Sequence, residues 1–543
     1  MAPNILSAMP PPAEDADSGL EVELVELRVL DGPNRFGTRP AVKLEFRGET
    51  PGEAATIAAS AALAIRRLHV SLDLPEPRIA TRHSVDRHRT AIAFPWRRRT
   101  ISQSIGAAAA RLALGRSTER REVTALRATA LGPLPNLPRP RIPIVAVTGT
   151  NGKSTTTRLI AHVMAGAGRT VGMTNSDGIF VDGELVEAGD WTGFGGASRI
   201  LAEPGVDVAI LETARGGILL RGIGYAANDV SVVTNVSADH LGLQGIDTLD
   251  ELAEVKGTVV RITKRDGWAV LNADDERVWD MRRRTRAQLY PFSMSAKSPA
   301  VEAALDGGGR AAILQGGWIV LRSAGRRPRR LVEANALPVT FAGLSRYNVA
   351  NALAAAAACD ALEVSEAEIV EGLSSFALDA SANPGRLNLY ERRGTFALVD
   401  FAHNEAGMIG LLEVARSVAG DRRVRLAFGT AGDRTDEILH RLGVVAGSAD
   451  DLVIAEKEHY LRGRDLAEMN ELLRAGARDG GYEDAVPSVT SELAALQALI
   501  GRAKRGDVCV VMAHVERAEL FSWLEQEGFR PVSGDRLRKH LGR

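Results

Sequence analysis

Apolar and polar positions alternate with a period of two in VELVELRVL and AVKLEF near the start of the chain. The pattern then changes to an alanine-rich helical period from Pro51 to about Leu68. More strand-like runs and a second helical stretch, SIGAAAARLAL, complete a small α+β unit over residues 20–130. LGPLPNLPRPRIP follows, and its prolines stop regular structure, which predicts a linker over 131–142. Beyond it the rhythm is different. IVAVTGT is too short and β-branched for a helix, NGKSTTTRLIAHVMAGAG has a helical pattern, and VDVAILE, DVSVVTNV and WAVLNAD return as strands. Strands alternating with helices predict parallel βαβ units with helices on both faces, over residues 143–380. Weaker, arginine-spiked strand signals between Arg282 and Arg330 fit an insertion or an outer edge. TFALVDF, VRLAFGT, DLVIAE and DVCVVMAH repeat the alternation over 381–543. The predicted fold class is α/β: a central phosphate-loop parallel-sheet domain and a C-terminal Rossmann-like domain, preceded by a small α+β domain. Residues 1–19 read as a flexible tail.

Composition narrows the function classes. A chain of 543 residues exceeds one ordinary core, and a formal net charge of -1 gives no global reason to expect nucleic acid or membrane as partner. The two cysteines, Cys359 and Cys509, lie in apolar stretches, so neither a disulfide scaffold nor a cysteine-rich metal site is expected. No stretch approaches the roughly 20 apolar residues of a membrane span, and the N-terminus lacks the basic start and apolar run of a signal peptide. The expected location is the cytoplasm.

One segment carries explicit chemistry. Gly149, Thr150, Asn151, Gly152, Lys153, Ser154 and Thr155 stand between a buried strand and a helix. Glycines let backbone N–H groups approach phosphate, the helix adds its positive end, Lys153 would bridge terminal phosphates and the Ser154 hydroxyl would ligand Mg²⁺. The general eight-residue pattern has glycine where this chain has Val147, so the loop is a shortened variant. Alone it leaves kinase, GTPase, ATPase and ligase open.

The blocks VTGTNGKSTTTRLI (147–160), LETARGGILLRGIGY (211–225), VVTNVSADHLGL (232–243), LNADD (271–275), SRYNVANALAAAAA (345–358), NPGRL (383–387), VDFAHN (399–404) and FGTAGDR (428–434) occur in one order. In that order they resemble the Mur ligase family, nearest to the Mur-ligase half of the cyanophycin synthetases. The resemblance implies an ADP-forming amide ligase with ATP between two domains and two Mg²⁺ sites. Its substrates would be a small molecule or peptide with a free carboxylate, plus an amine. A homo-oligomer is left open. Glu212, ending the strand VDVAILE, is placed where α/β sheets present ligands, and its carboxylate suits Mg²⁺. By resemblance His240 is a second metal ligand, and Arg386 reaches the phosphates. Asn348 and Asn351, three apart on a helix, would contact the base. Asp400 would bond ribose or shape its loop, and His403 would lie near the nucleotide. Lys256 stands where many relatives carry a lysine carbamate; a solvated helix lysine is the alternative. Asp433 and Arg434 look like further site residues, and the charged stretch Glu456–Asp465 fits either an amino-acid pocket or an exposed loop. The opening LRVLDGPNRFGTRPAV also resembles the start of the cyanophycin synthetases. In those an ATP-grasp domain comes next, whereas here the short linker leaves no room for one before the phosphate loop. A phosphate-loop NTPase of another class and a catalytically retired nucleotide-binding scaffold remain as alternatives.

Overall fold

The computed structural model describes residues 22–542 apart from 139, 240, 378, 458 and 459, so the expected tail lies outside the described residues. The N-terminal part is a four-stranded antiparallel sheet, in the order Glu23–Leu30, Ala41–Arg47, Arg89–Pro95, Ala80–His83. Helices Glu53–Ser71 and Arg99–Ala113 cover one face and close a core around Phe46, Phe94, Leu44 and Ile65. A third helix, Glu119–Arg127, has only Glu122 and Leu126 buried, which is why its mostly polar sequence carries no strong apolar period. It is tied down by Glu122, which accepts from Arg111 at 2.6 and 2.8 Å.

The central part is an eleven-stranded sheet whose middle is parallel and whose two edges are antiparallel. The strand Ile144–Thr148, buried at every residue, lies between Val208–Glu212 on one side and Asn228–Val233 on the other. The chain therefore leaves this strand in opposite directions, and the crevice at its carboxyl end is where doubly wound sheets bind ligands. The arginine-spiked segment forms an outer edge: Gln288–Ser293, Arg310–Gln315, Trp318–Ser323 and Arg329–Glu333 extend the sheet in sequence order. Behind the phosphate-loop helix, Lys153–Gly166, runs Arg346–Ala361, a helix buried on nearly all sides. Its alanines keep it thin enough to fit between sheet and helix.

The C-terminal part is a seven-stranded sheet, in the order Ser488–Val489, Asp451–Ala455, Val424–Phe428, Val508–Met512, Thr395–Asp400, Asn388–Arg392, Arg530–Pro531. All of these strands run the same way except Asn388–Arg392, which is antiparallel to both its neighbours. Their carboxyl ends place VDFAHN and FGTAGDR on the side facing the central sheet.

Asp360 anchors the outer edge to the buried helix. Its carboxylate takes the Tyr290 hydroxyl at 2.9 Å and pairs with Arg310 at 3.0 Å and Arg329 at 2.7 Å. Asp360→Ala would strand two partly exposed guanidiniums and a buried phenol, so a loss of about 2–3 kcal/mol is expected, read as a lowered urea midpoint with unchanged slope.

Candidate active site

The loop after Ile144–Thr148 is held by the next parallel strand. The Thr150 N–H donates to the Asn235 carbonyl at 2.9 Å, and the Thr150 hydroxyl donates to the Ser237 carbonyl at 3.1 Å. The Asn151 N–H donates to Asn235 Oδ1 at 2.9 Å, and Thr234 Oγ1 donates to the Asn151 carbonyl at 2.6 Å. Thr150 thus supports the loop's shape. Gly149 and Gly152 have φ of 152° and 83°. A Cβ on Gly152 would lie 2.3 Å from Asn351 Oδ1, so both backbone conformation and space require glycine there. Gly152 also caps the helix Lys153–Gly166 without a side-chain hydrogen bond.

Around this loop the structure collects charge. Glu212 is 3% exposed, and its Oε2 has no hydrogen-bond partner. Burial pushes its carboxyl above the usual range, opposed by Lys153, the Ser154 hydroxyl and Arg386. Lys153 Nζ donates to the Thr150 carbonyl at 2.7 Å. Lys256, on the helix Leu249–Arg261, is 4% exposed, and its Nζ donates to the Gly149 carbonyl at 2.5 Å. A solvated helix lysine is therefore ruled out. Burial, and then Lys153, hold its amine well below the ordinary lysine range.

The C-terminal part closes over the loop. The Asn404 side-chain amide donates to Asn151 Oδ1 at 3.0 Å, and Arg386 reaches Ser154 Oγ at 3.5 Å. Arg386 lies 4.2 Å over the Phe401 ring. It is turned inward by Leu387, whose left-handed φ of 53° is fixed by an N–H donated to Asp400 at 2.8 Å. Asp400 also accepts from the Ala402 N–H at 2.7 Å, so both its oxygens shape the turn. His403 Nε2 stands 3.3 Å from Asp239, whose other oxygen accepts from Arg434 at 2.7 Å. Asn383 donates to Thr155 Oγ1 at 3.4 Å.

Asn348 and Asn351 do share a helix face, but their amides differ in use. Asn348 donates to the Val339 carbonyl at 2.9 Å and accepts from Asn351 at 3.0 Å, so it sits one layer behind the loop. Asn351 is the one against the loop. His240 lies outside the described residues, and among the described residues no group of three or more His, Cys, Asp or Glu side chains forms a metal cage. The donor set still fits a phosphate-bound Mg²⁺, which keeps most of its ligands as water and phosphate oxygens: an open carboxylate oxygen on Glu212 beside the Ser154 hydroxyl.

The Mur ligase middle domain profile matches residues 147–359, and the Mur ligase glutamate ligase domain profile matches residues 385–515. The chain belongs to the Mur ligase family. Cyanophycin synthetase of Nostoc sp. is 39% identical over 378 residues, which is 70% of this chain and 42% of that protein. The chain thus spans about two fifths of the length of that relative. The UDP-N-acetylmuramoyl-L-alanyl-D-glutamate--2,6-diaminopimelate ligase of Corynebacterium efficiens is 27% identical, over 68% of each chain. A crystal structure of a bifunctional folylpolyglutamate synthase/dihydrofolate synthase superposes with a TM-score of 0.52 at 19% identity, covering 71% of this chain and 90% of that one.

Several residues of this Mur ligase cleft carry no strong signal in the sequence. Asp177 pairs with Arg158 at 2.9 Å and Arg517 at 2.7 Å, joining the two parts beside Arg386. Lys457 is not a surface residue: its ammonium meets Glu492 at 2.8 Å and His514 Nδ1 at 2.5 Å, and His514 Nε2 donates to the Ala402 carbonyl at 2.7 Å. Arg464 donates to the Gly432 and Arg434 carbonyls at 3.1 and 2.9 Å and bonds Asp436 at 2.7 Å, and Arg462 pairs with Asp433; both arginines thus brace the loop of Arg434. Only the helix start, Glu405 after Asn404, is legible locally, from the asparagine that caps it.

Because burial depresses the pKa of the folded Lys256 amine, folding carries a cost at pH values below the folded pKa, and this cost fades as pH rises from there toward the ordinary value of 10.5. Lys256→Met should therefore be more stable than the parent at pH 7, with the gap narrowing toward pH 10, as measured by urea denaturation across that range.

Proposed function

We propose that this chain is an ADP-forming carbon–nitrogen ligase that makes an acyl phosphate from a carboxylate and transfers the acyl group to an amine. The observation that carries this reading is the closed cleft in which Lys153, Ser154, Glu212 and Lys256 face Arg386 across the domain boundary. Kinases also close a lid over their nucleotide, so closure gains its meaning here from the Mur ligase middle and glutamate ligase domains that form the two sides of the cleft. Sealing matters when the product of phosphoryl transfer is an acyl phosphate that water would destroy.

In the first step a carboxylate oxygen attacks the γ-phosphorus of ATP and the bond to the β-phosphate oxygen breaks, giving acyl phosphate and ADP. An amine then adds to the acyl carbon, loses a proton, and phosphate leaves with the original carboxylate oxygen. Phosphoryl transfer of this type is driven by positioning and charge neutralisation. The backbone N–H groups of residues 152–155 at the helix start and the Lys153 ammonium would hold the phosphates, and Arg386, seated on Phe401, would neutralise charge on the transferred group. Bound Mg²⁺ would screen the carboxylate from the phosphates, with Ser154 and Glu212 as its protein ligands. The closed cleft of Asn404, Asp239, His403 and Arg434 excludes water, and Asn351 would border the nucleotide from the loop's other side.

Burial, which lowers the pKa of the Lys256 amine, supports the carbamate reading, since only an uncharged amine adds CO₂. Retirement of the site is disfavoured, because an orphaned buried Glu212 oxygen and a buried Lys256 both cost stability that a scaffold would gain by losing them. The chain runs from the N-terminal sheet to the phosphate loop through residues 128–143 without an intervening domain, which supports one ligation rather than two. A reducing, ATP-containing cytoplasm suits the reading; among the described residues no helix is long and apolar enough to cross a membrane.

Purified protein with ATP, Mg²⁺ and paired carboxylates and amines should release ADP only when both partners are present, with a product lighter by one water than their sum. Lys153→Ala should lower the rate about 100-fold or more. ATP turnover that never yields an adduct would remove the ligase reading while keeping the nucleotide site.

A further inference from the structure

The N-terminal domain touches the central domain at two segments, and the opposite side of the first meets the phosphate loop. The first is the helix Leu249–Arg261. On its outer side Glu254 accepts from Arg35 at 2.8 Å and from Arg82 at 2.7 Å, and Glu251 accepts from Arg35 at 3.2 Å. Arg261 returns a bond to the Arg35 carbonyl at 3.3 Å, and Asp247, just before the helix, pairs with Arg89 at 2.6 Å. On its inner side the same helix sends Lys256 to the Gly149 carbonyl. The second segment begins at Arg215, three residues after Glu212. Asp31 pairs with Arg221 at 2.9 Å and also with Arg99, and the Ile223 N–H donates to the Pro33 carbonyl at 2.7 Å. The approach is so close that a Cβ on Gly32 would lie 1.8 Å from the Ile223 carbonyl oxygen.

Arg35 is the keystone of the first contact. Its side chain is 9% exposed, facing Glu251 and Glu254 at 12% and 14%. Ion pairs this dry depend strongly on geometry, so they fix a helix in position where surface pairs would let it drift. Glu254 and Lys256 are two residues apart and point to opposite sides, so tension on one is felt as displacement of the other.

We propose that the N-terminal domain is a brace for the reacting centre, with Arg35 and Arg82 acting as positioning residues that hold Lys256 at the phosphate loop through Glu254 and Glu251. Both arginines bond to Glu254 on the side of the helix away from the phosphate loop, so the brace governs how well bound substrates react and leaves nucleotide affinity alone. The catalytic part of this inference rests on the ligase reading; the mechanical part does not.

The test uses the full chain with Arg35→Ala, Arg82→Ala and Arg82→Lys. Three quantities are measured: kcat for ADP release, affinity for a non-hydrolysable ATP analogue, and amide hydrogen exchange. A displaced lysine predicts kcat lower by about 10- to 100-fold with analogue affinity changed by less than about threefold. Exchange should quicken within residues 249–261 and stay unchanged in the strand Asn228–Val233, and Arg82→Lys should recover part of the lost rate by keeping the charge on Glu254. If Arg35→Ala loosens the whole chain, Arg82→Ala, a residue a third exposed, decides. Unchanged kcat and unchanged exchange in Arg82→Ala would overturn the brace, as would a loss of analogue affinity that matches the loss of kcat. Should no ligation be found for the parent chain, the exchange and affinity arms still judge the brace, and the ligase reading fails separately.

Discussion

Everything in this molecule depends on bringing cations and anions together at the carboxyl end of one strand, Ile144–Thr148, without leaving them unbalanced. Lys153, Lys256 and Arg386 lie there beside Glu212 and Asp239, and of these Lys256, Glu212 and Asp239 are buried. Charges so placed would repel or protonate away unless each were held at a fixed distance from its opposite. The sheet supplies that fixity on one side and the C-terminal domain on the other. Asp239 ties the two together: it belongs to the central domain yet is held by His403 and Arg434 of the C-terminal one. The site exists only when the two domains are together.

That requirement explains the less conspicuous parts of the structure. Asp400 spends both carboxylate oxygens on backbone N–H groups because the turn it shapes must present Arg386 and His403 at once. Lys457, Glu492 and His514 form a buried network whose outlet is the Ala402 carbonyl in that turn. Burial, and then Lys457, hold the His514 imidazole far below its usual range, so it stays neutral and keeps its hydrogen-bonding role across ordinary pH. The helix of Asn348 and Asn351 backs the phosphate loop from below, and its alanines leave space for the sheet to close around it.

Much of this was legible from residue order. The α/β alternation, the outer edge near Arg282–Arg330 and the strand–loop–helix of residues 144–166 are local patterns, set by period and by glycine at positive φ. Glu212 was legible too, as the last residue of a buried strand. What could not be read were the long-range choices. Asp177 finding Arg158 and Arg517, Asp239 finding Arg434, and Glu254 finding Arg35 join residues many tens of positions apart, and a charge in a sequence does not announce its partner. Lys256 is the sharpest case: its helix has charge on one side and apolar residues on the other, and a lysine on the inner side has the same letters around it as a solvated one. Asn348 shows that a face can be read while its partner cannot: the carbonyl its amide meets belongs to Val339, outside the helix.

The central claim is that a carboxylate is activated by phosphate inside this closed cleft. Once a carboxylate and amine pair is found, the substrate carboxylate would be labelled with ¹⁸O and the released phosphate examined by mass. The account predicts one ¹⁸O atom in each phosphate formed, because the oxygen that attacks phosphorus leaves with it. Phosphate free of label, alongside a labelled product, would mean that the acyl group was never phosphorylated and would contradict the account.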